Sequence, residues 1–528
     1  MNKITTLVVL LGLAFSSSAA VSSKPALPSV ELKTGHDRVK TPLKVDLDRI
    51  GTLRPRSTDE IKSSNWVIGC ETLDRNYADF NQYKHLLKPL GIKHLRLQGG
   101  WAKCEKEKGV YDFAWLDEAV DYALANGINP TIETSYGNPI YEGGGEPNLA
   151  GGFPVGEGLT AWDNWVRELV RHFKGRVRDY LMWNEPDNAH YHDPKMPELT
   201  AALDVRTAKI ILKEIPDARI GGICASTFRN QEGIDGAEHV FGGILDFMGE
   251  DRNLFTWIVY HSYGECPDAA YPNVENLKKI LEKRGVPATR LWQGESGCPS
   301  QATGCGALGK VRWSEYSQAK WDMRRMLGDL GHGVRSLVYS MSDLQYKPKK
   351  GTLVIGGHNA KGLVRTNTKS EVIAIKRAYY AVQNVVSVFD DTLKLVERPD
   401  IVLDDPLTAV YEYQKADGRR VYAFWTFGEK CAIDPRDQGV PMAKWKYPSV
   451  VTYSRPGDSF ATVPRVFRTL NVPALKDPVW VDLMTGAVYE FPAENVIENS
   501  EGVTYLEVPV YDSPCLLAER SALEILNY

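Results

Sequence analysis

Two glutamates stand where apolar runs end. Glu185 follows the run 180–184 in Trp183-Asn184-Glu185-Pro186, and Glu295 closes the run 291–295 in Gln293-Gly294-Glu295-Ser296. A carboxylate at the end of a buried strand is costly to desolvate unless it has partners or a task. Two such groups facing one another suit a particular chemistry. One protonates a leaving oxygen while the other attacks the carbon being left, which is how a glycosidic bond is broken.

Such a pair works only if the chain brings it together. The strand-like runs 66–70, 94–98, 129–135, 180–184, 219–225, 256–261, 291–295 and 336–341 are largely apolar, not alternating, as in parallel strands buried on both faces. Helical stripes lie between them. Phe113, Leu116, Ala119, Val120, Ala123 and Leu124 precede Gly127. Trp162, Trp165, Val166, Leu169, Val170 and Phe173 precede Gly175, with Thr160 as the expected N-cap. Eight strands interleaved with helices predict a (β/α)₈ TIM barrel, with active-site groups at the C-terminal strand ends. A doubly wound open sheet is the alternative, but no Gly-rich phosphate loop follows the first strand. Strands four and seven lie on opposite sides of a closed barrel, so Glu185 and Glu295 can face each other across a bound sugar.

From about residue 390 the pattern changes. The runs 409–413, 421–427, 449–453 and 505–509 are strand-like, with turn-rich segments and no helices between them, which predicts an appended antiparallel β-sandwich. The expected organisation is a signal peptide at 1–20, a lead at 21–60 that can add a strand to the β-domain, the barrel at 61–388 and the β-sandwich domain at 389–528.

Asn-Glu-Pro after the fourth strand, with Glu after the seventh, resembles the signature of glycoside hydrolase clan A. Within that clan the chain is most similar to glycoside hydrolase family 39. Gly109-Val110-Tyr111-Asp112-Phe113, the run from Trp183 to Asn188, Gly362-Leu363-Val364 and Arg377-Ala378-Tyr379-Tyr380-Ala381 carry that likeness. The resemblance implies a retaining glycosidase, β-xylosidase-like or a related β-glycosidase, with Glu185 as acid/base and Glu295 as nucleophile. It further implies that Asn184 binds the sugar 2-hydroxyl, that His261 and Tyr263 form a His-x-Tyr pair whose Tyr touches the nucleophile, and that Arg96 lies beside it. One departure stands out. Where the clan usually shows a Trp after strand eight, this chain has Tyr339-Ser340-Met341-Ser342-Asp343.

The residues suggest further contacts on their own. Glu133 ends strand three, where it can bind a substrate hydroxyl or pair with a barrel arginine. Trp101, Tyr136 and Trp292 offer flat faces for stacking on sugars. The Gly- and Pro-rich stretch 137–158 reads as a loop shaping the cleft. No metal or cofactor is expected. A sugar-binding protein on a degenerate barrel, or a transglycosylase sharing the covalent intermediate, are the competing readings; two intact carboxylates argue against the first.

Composition agrees without deciding. The 528 residues carry a formal net charge of −4, with no basic run of the kind nucleic-acid binders present. Lys3, the apolar stretch 4–15 and the small residues 16–20 read as a signal peptide cleaved near Ala19 or Ala20, which predicts a secreted or periplasmic protein acting on carbohydrate, with no membrane insertion. Export permits disulfides among the eight cysteines, and the nearby Cys298 and Cys305 are the expected pair.

Overall fold

The parallel runs close on themselves. The computed structural model describes residues 30–528 apart from 36–37, 41–42, 150, 189–192, 229–234, 303, 310, 347–356, 398–400, 427–459 and 461. The predicted signal peptide and the expected strand at 449–453 therefore lie outside the described residues. The described residues form a closed barrel of eight parallel strands: Trp66–Gly69, His94–Gln98, Asn129–Glu133, Asp179–Leu181, Arg219–Ala225, Trp257–His261, Leu291–Glu295 and Arg335–Val338. That closure excludes the doubly wound alternative. The strands are buried along nearly their whole length, which is why they read as unbroken apolar runs.

Helices wrap the barrel with their apolar stripes inward. Ala114–Ala125 buries Leu116, Ala119, Val120 and Ala123, but Leu124 faces solvent. Gly156–Phe173 buries Trp162, Trp165, Val166, Leu169, Val170 and Phe173. This helix begins a turn earlier than the expected Thr160 cap, after Val155. Two loop carbonyls explain the extra turn: Gly143 O accepts from Val155 N at 2.8 Å, and Glu142 O accepts from Gly158 N at 2.9 Å. The loop thereby satisfies backbone donors that a threonine hydroxyl would otherwise have capped.

A C-terminal antiparallel β-sandwich packs beside the barrel. Its larger sheet runs Leu393–Val396, Thr408–Lys415, Arg420–Thr426, Cys515–Glu519, Pro478–Asp482, Ala487–Glu490, Arg49–Leu53 and Ile525–Asn527; the smaller holds Ile401–Leu403, Val463–Leu470, Gly502–Val510 and Val496–Asn499. Strand Arg420–Thr426 shows how the larger sheet serves two cores. Tyr422 and Phe424 point into the sandwich, against Phe467, Trp480 and Tyr505, while Val421, Ala423 and Trp425 join the barrel's cluster. Trp425 Nε1 donates to Asp268 Oδ1 at 3.0 Å, and Lys320 pairs with Asp512 at 2.8 Å, the latter pair fully buried.

The expected Cys298–Cys305 bridge is not formed; both are thiols. Their surroundings differ: Cys298 is buried against Trp313 and Trp321, whereas Cys305 is half-buried beside Gly357.

One irregularity matters for the site. The fifth barrel strand bulges between Gly222 and Ala225, with Ile223 at φ 74° and Cys224 at φ 46°, both left-handed. Buried Asp204, on helix Met196–Glu214, holds the bulge by accepting from Ile223 N at 2.8 Å. Asp204→Ala leaves that buried N–H without a partner and is expected to destabilise the protein by about 1–3 kcal/mol. Urea melts should show a lower midpoint for Asp204→Ala than for Asp204→Asn, which keeps an acceptor.

Candidate active site

The site collects at the C-terminal ends of the barrel strands. Arg96, on the second strand, is fully buried. Its Nη1 donates to Glu295 Oε2 and to Gly294 O, each at 2.9 Å, and its Nη2 donates to Asn184 Oδ1 at 2.6 Å and to Glu133 Oε2. A further carboxylate, Glu71, lies 3.2 Å from Nη1. One guanidinium thus faces three carboxylates from three strand ends. Glu133 takes the ion-pair role that was one of its two readings, and Gln98 Nε2 and Ser135 Oγ also donate to it.

Glu295 accepts a second hydrogen bond from the Tyr263 hydroxyl, at 2.7 Å. Glu185 stands apart from the guanidinium. The fourth strand ends at Leu181, short of the expected 184, and Glu185 sits four residues on, at φ 47°. This left-handed backbone is uncommon for a non-glycine residue and is held by neighbours, since Glu185 N donates to Cys224 O of the bulge at 3.0 Å. The bulge therefore sets the direction of Glu185. Its carboxylate meets His261 Nδ1 at 2.9 Å and accepts from Asn188 Nδ2 at 3.1 Å. His261 Nδ1 lies 4.0 Å from Glu295 Oε2.

Ligating atoms of Glu185, His261 and Glu295 lie within 4.8 Å of one another. Among the described residues this is the cluster able to hold a metal ion, yet the guanidinium on Glu295 opposes a second cation there. The cluster suits proton transfer better, because its two carboxyl groups are driven apart. Burial raises the pKa of Glu185, and the Glu295 charge adds to the rise against the His261 hydrogen bond. Burial acts the same way on Glu295, but His261, Arg96 and the Tyr263 hydroxyl outweigh it and hold Glu295 below the usual carboxylate range. Opposed shifts in a facing pair are what an acid beside a base requires.

The remaining expected residues divide. Asn184 Nδ2 donates to the Tyr136 hydroxyl at 2.7 Å, and the Tyr136 ring lies beneath the Arg75 guanidinium at 5.0 Å. Trp101 cannot stack on a sugar: it is fully buried, stacked between Tyr141 and Trp165, with its Nε1 donating to Glu105. Trp292 is likewise buried, against Trp257 and the Arg335 guanidinium. After the eighth strand, Tyr339 stands edge-on to Tyr263 at 6.5 Å. Glu71 was missed by the sequence reading, although it ends a buried run as Glu185 and Glu295 do. Burial pushes its carboxyl up to about 8, against the pull of Arg96 and with the help of Glu295 and Glu133.

The family described as glycosyl hydrolases family 39 matches residues 54–289. No curated protein sequence matches the chain. Among solved structures, a family 39 glycoside hydrolase from the gut symbiont Bacteroides cellulosilyticus WH2 aligns with TM-score 0.59 and 17% identity, over 87% of this chain and 81% of that one. The family 39 enzyme of Xanthomonas axonopodis pv. citri aligns with TM-score 0.52 and 16% identity, over 89% and 95%. A monomeric beta-xylosidase from Caulobacter crescentus CB15 gives 0.53 and 16%, over 89% and 97%. At these identities the structural likeness speaks to the fold, and the family match covers the first six barrel strands, with Arg96, Glu133, Glu185, His261 and Tyr263, ending before Glu295. The chain is similar to glycosyl hydrolases family 39 over residues 54–289, and the protein is a glycosidase, an enzyme hydrolysing O-glycosyl bonds.

Proposed function

We propose that the protein is an exported retaining β-glycosidase of poly- or oligosaccharides, with Glu185 as general acid/base and Glu295 as nucleophile. The observation that carries this reading is the spacing: oxygens of the two carboxylates approach within 4.8 Å. Retaining enzymes hold their carboxyl groups about 5–5.5 Å apart, whereas inverting ones leave about 6.5–9.5 Å for a water. In the first step a Glu295 oxygen bonds to the anomeric carbon, the glycosidic C–O bond breaks, and the Glu185 proton passes to the leaving oxygen. In the second, water attacks the same carbon, loses its proton to Glu185, and frees Glu295 from the glycosyl ester. The Caulobacter crescentus protein is a beta-xylosidase, and a β-xyloside is the first substrate to try. Export rests on the leader read at 1–20, and no described helix is long and apolar enough to cross a membrane.

Ionised Glu295 needs Arg96, and Glu71 competes for the same guanidinium. A proton on Glu71 removes that competition. In this role Glu71 is a positioning residue that never touches substrate.

Turnover of a panel of aryl glycosides is expected to fall by at least about a thousandfold in Glu295→Ala, with azide restoring a glycosyl azide of inverted configuration. Undiminished turnover in that variant would remove Glu295 from the mechanism. The kcat/KM–pH profile is expected to be bell-shaped: its acidic limb follows Glu295, and its alkaline limb, set by Glu185, disappears in Glu185→Gln with activated aryl leaving groups. Thermal melts test Glu71. Its folded pKa of about 8 lies above the ordinary glutamate value of 4.5, so the stability it contributes is present below the lower value and is lost as pH rises to the higher. Glu71→Gln cannot titrate, so its Tm relative to wild type should rise between pH 5 and pH 8 and then level; a pH-independent difference would mean that Glu71 is ionised throughout.

A further inference from the structure

Glu185 occupies a backbone position that its own sequence does not favour. Its φ of 47° is left-handed, and Pro186 follows, which pushes the residue before it toward extended backbone. Such a conformation persists only where the surroundings fix it. Asn188 N donates to Glu185 O at 3.1 Å and closes residues 185–188 into a turn. That bond shapes the turn but does not fasten it to the barrel.

Two attachments do. At the start of the turn, Glu185 N donates to Cys224 O of the bulge at 3.0 Å. Farther along, fully buried Asp187 reaches the residues just past the bulge. Its Oδ1 accepts from Ser226 N at 3.0 Å, and its Oδ2 accepts from Thr227 N at 2.6 Å, Ser226 N at 3.1 Å and Ser226 Oγ at 3.2 Å. Among the described residues these partners are main-chain amides and a hydroxyl, with no cation. Asp204 holds the same bulge from the helix side through Ile223 N, so the turn takes its position from two buried aspartates.

The Asp187 charge has an effect of its own. Burial is the main cause that raises the Glu185 pKa; His261 opposes the rise, and Glu295 and then Asp187 add to it. The titratable groups around Glu185 are thus His261 of the sixth strand, Glu295 of the seventh, Asp187 of its own turn, and the Tyr136 and Tyr263 hydroxyls.

We propose that Asp187 is a positioning residue for the acid/base: it fastens the 185–188 turn to the end of the fifth strand and sets a negative charge near the Glu185 carboxyl. This role rests on Glu185 being the acid/base. A proton donor must lie within hydrogen-bond reach of the leaving oxygen, and a turn free to shift carries its carboxyl out of that reach.

Matched aryl glycosides with a poor (phenyl) and an activated (dinitrophenyl) leaving group test the proposal on the full chain, because only the poor one needs the proton. Glu185→Ala is the reference and should cut the phenyl-to-dinitrophenyl ratio of kcat/KM by about a hundredfold or more. Asp187→Ala frees the turn and should cut the same ratio by at least about tenfold, since a displacement of about 1 Å can cost a hundredfold. Asp187→Asn should keep most of the ratio, because an amide oxygen in the Oδ2 place still accepts the three bonds made there. Lacking the charge, it should move the alkaline limb of the phenyl glycoside's kcat/KM–pH profile to lower pH. Equal slowing of both substrates in folded Asp187→Ala would overturn the proposal. An alkaline limb unmoved in Asp187→Asn would do the same, and decides the matter where the alanine variant does not fold. An unchanged ratio in Glu185→Ala would instead sink the acid/base assignment.

Discussion

The site depends on the division of one positive charge. Arg96 is buried in the barrel and shared by Glu71, Glu133 and Glu295, with Asn184 taking one further hydrogen. Removing a guanidinium from water is repaid only if its donors are matched, and removing three carboxylates with a single cation cannot balance if all are ionised. The arrangement resolves this by making the three unequal. Glu295 and Glu133 accept hydrogen bonds from the guanidinium, while neither Glu71 oxygen has a hydrogen-bond partner. The carboxyl that gains least from Arg96 is therefore the one that keeps its proton.

That inequality follows from the barrel. Arg96 comes from the second strand and reaches across to the seventh, where Glu295 ends the strand. Glu185 comes from beyond the fourth strand and is turned by its left-handed backbone toward the bulge of the fifth. Two chemically identical side chains thus acquire opposite pKa shifts from the elements that carry them. The β-sandwich contributes at a distance, covering barrel helices through Trp425 and the Lys320–Asp512 pair while leaving the strand ends to the loops.

Much of this was legible in the sequence because its causes are local. Parallel strands buried on both faces must be apolar throughout, and a Glu at the end of such a run is conspicuous. Asn184, Glu185, Arg96, His261, Tyr263 and Glu295 are legible in the sequence by their place at or just after the strand ends, and the structure brings them together. What escaped was decided by distant partners. Nothing in the composition around Trp101 says that Tyr141 and Trp165 will enclose it, so a flat aromatic near a strand end read as a sugar platform. The early start of helix Gly156–Phe173 depends on carbonyls a dozen residues upstream, which no capping pattern at Thr160 reveals. Glu71 satisfied the criterion that found the other two glutamates, but without the flanking Asn and Pro it drew no notice.

His261 limits how far the two glutamates can separate. Its Nδ1 lies 2.9 Å from Glu185 and 4.0 Å from Glu295, and its Nε2 is buried without a hydrogen-bond partner. A buried N–H without an acceptor costs more than a bare ring nitrogen in the same place, so the proton belongs on Nδ1, where it points at Glu185. An acid that must give up its proton in the first step and recover one in the second gains from a donor already aimed at its conjugate base. Burial raises the pKa of Glu185, and the His261 hydrogen bond limits that rise, the balance the proposed acid needs.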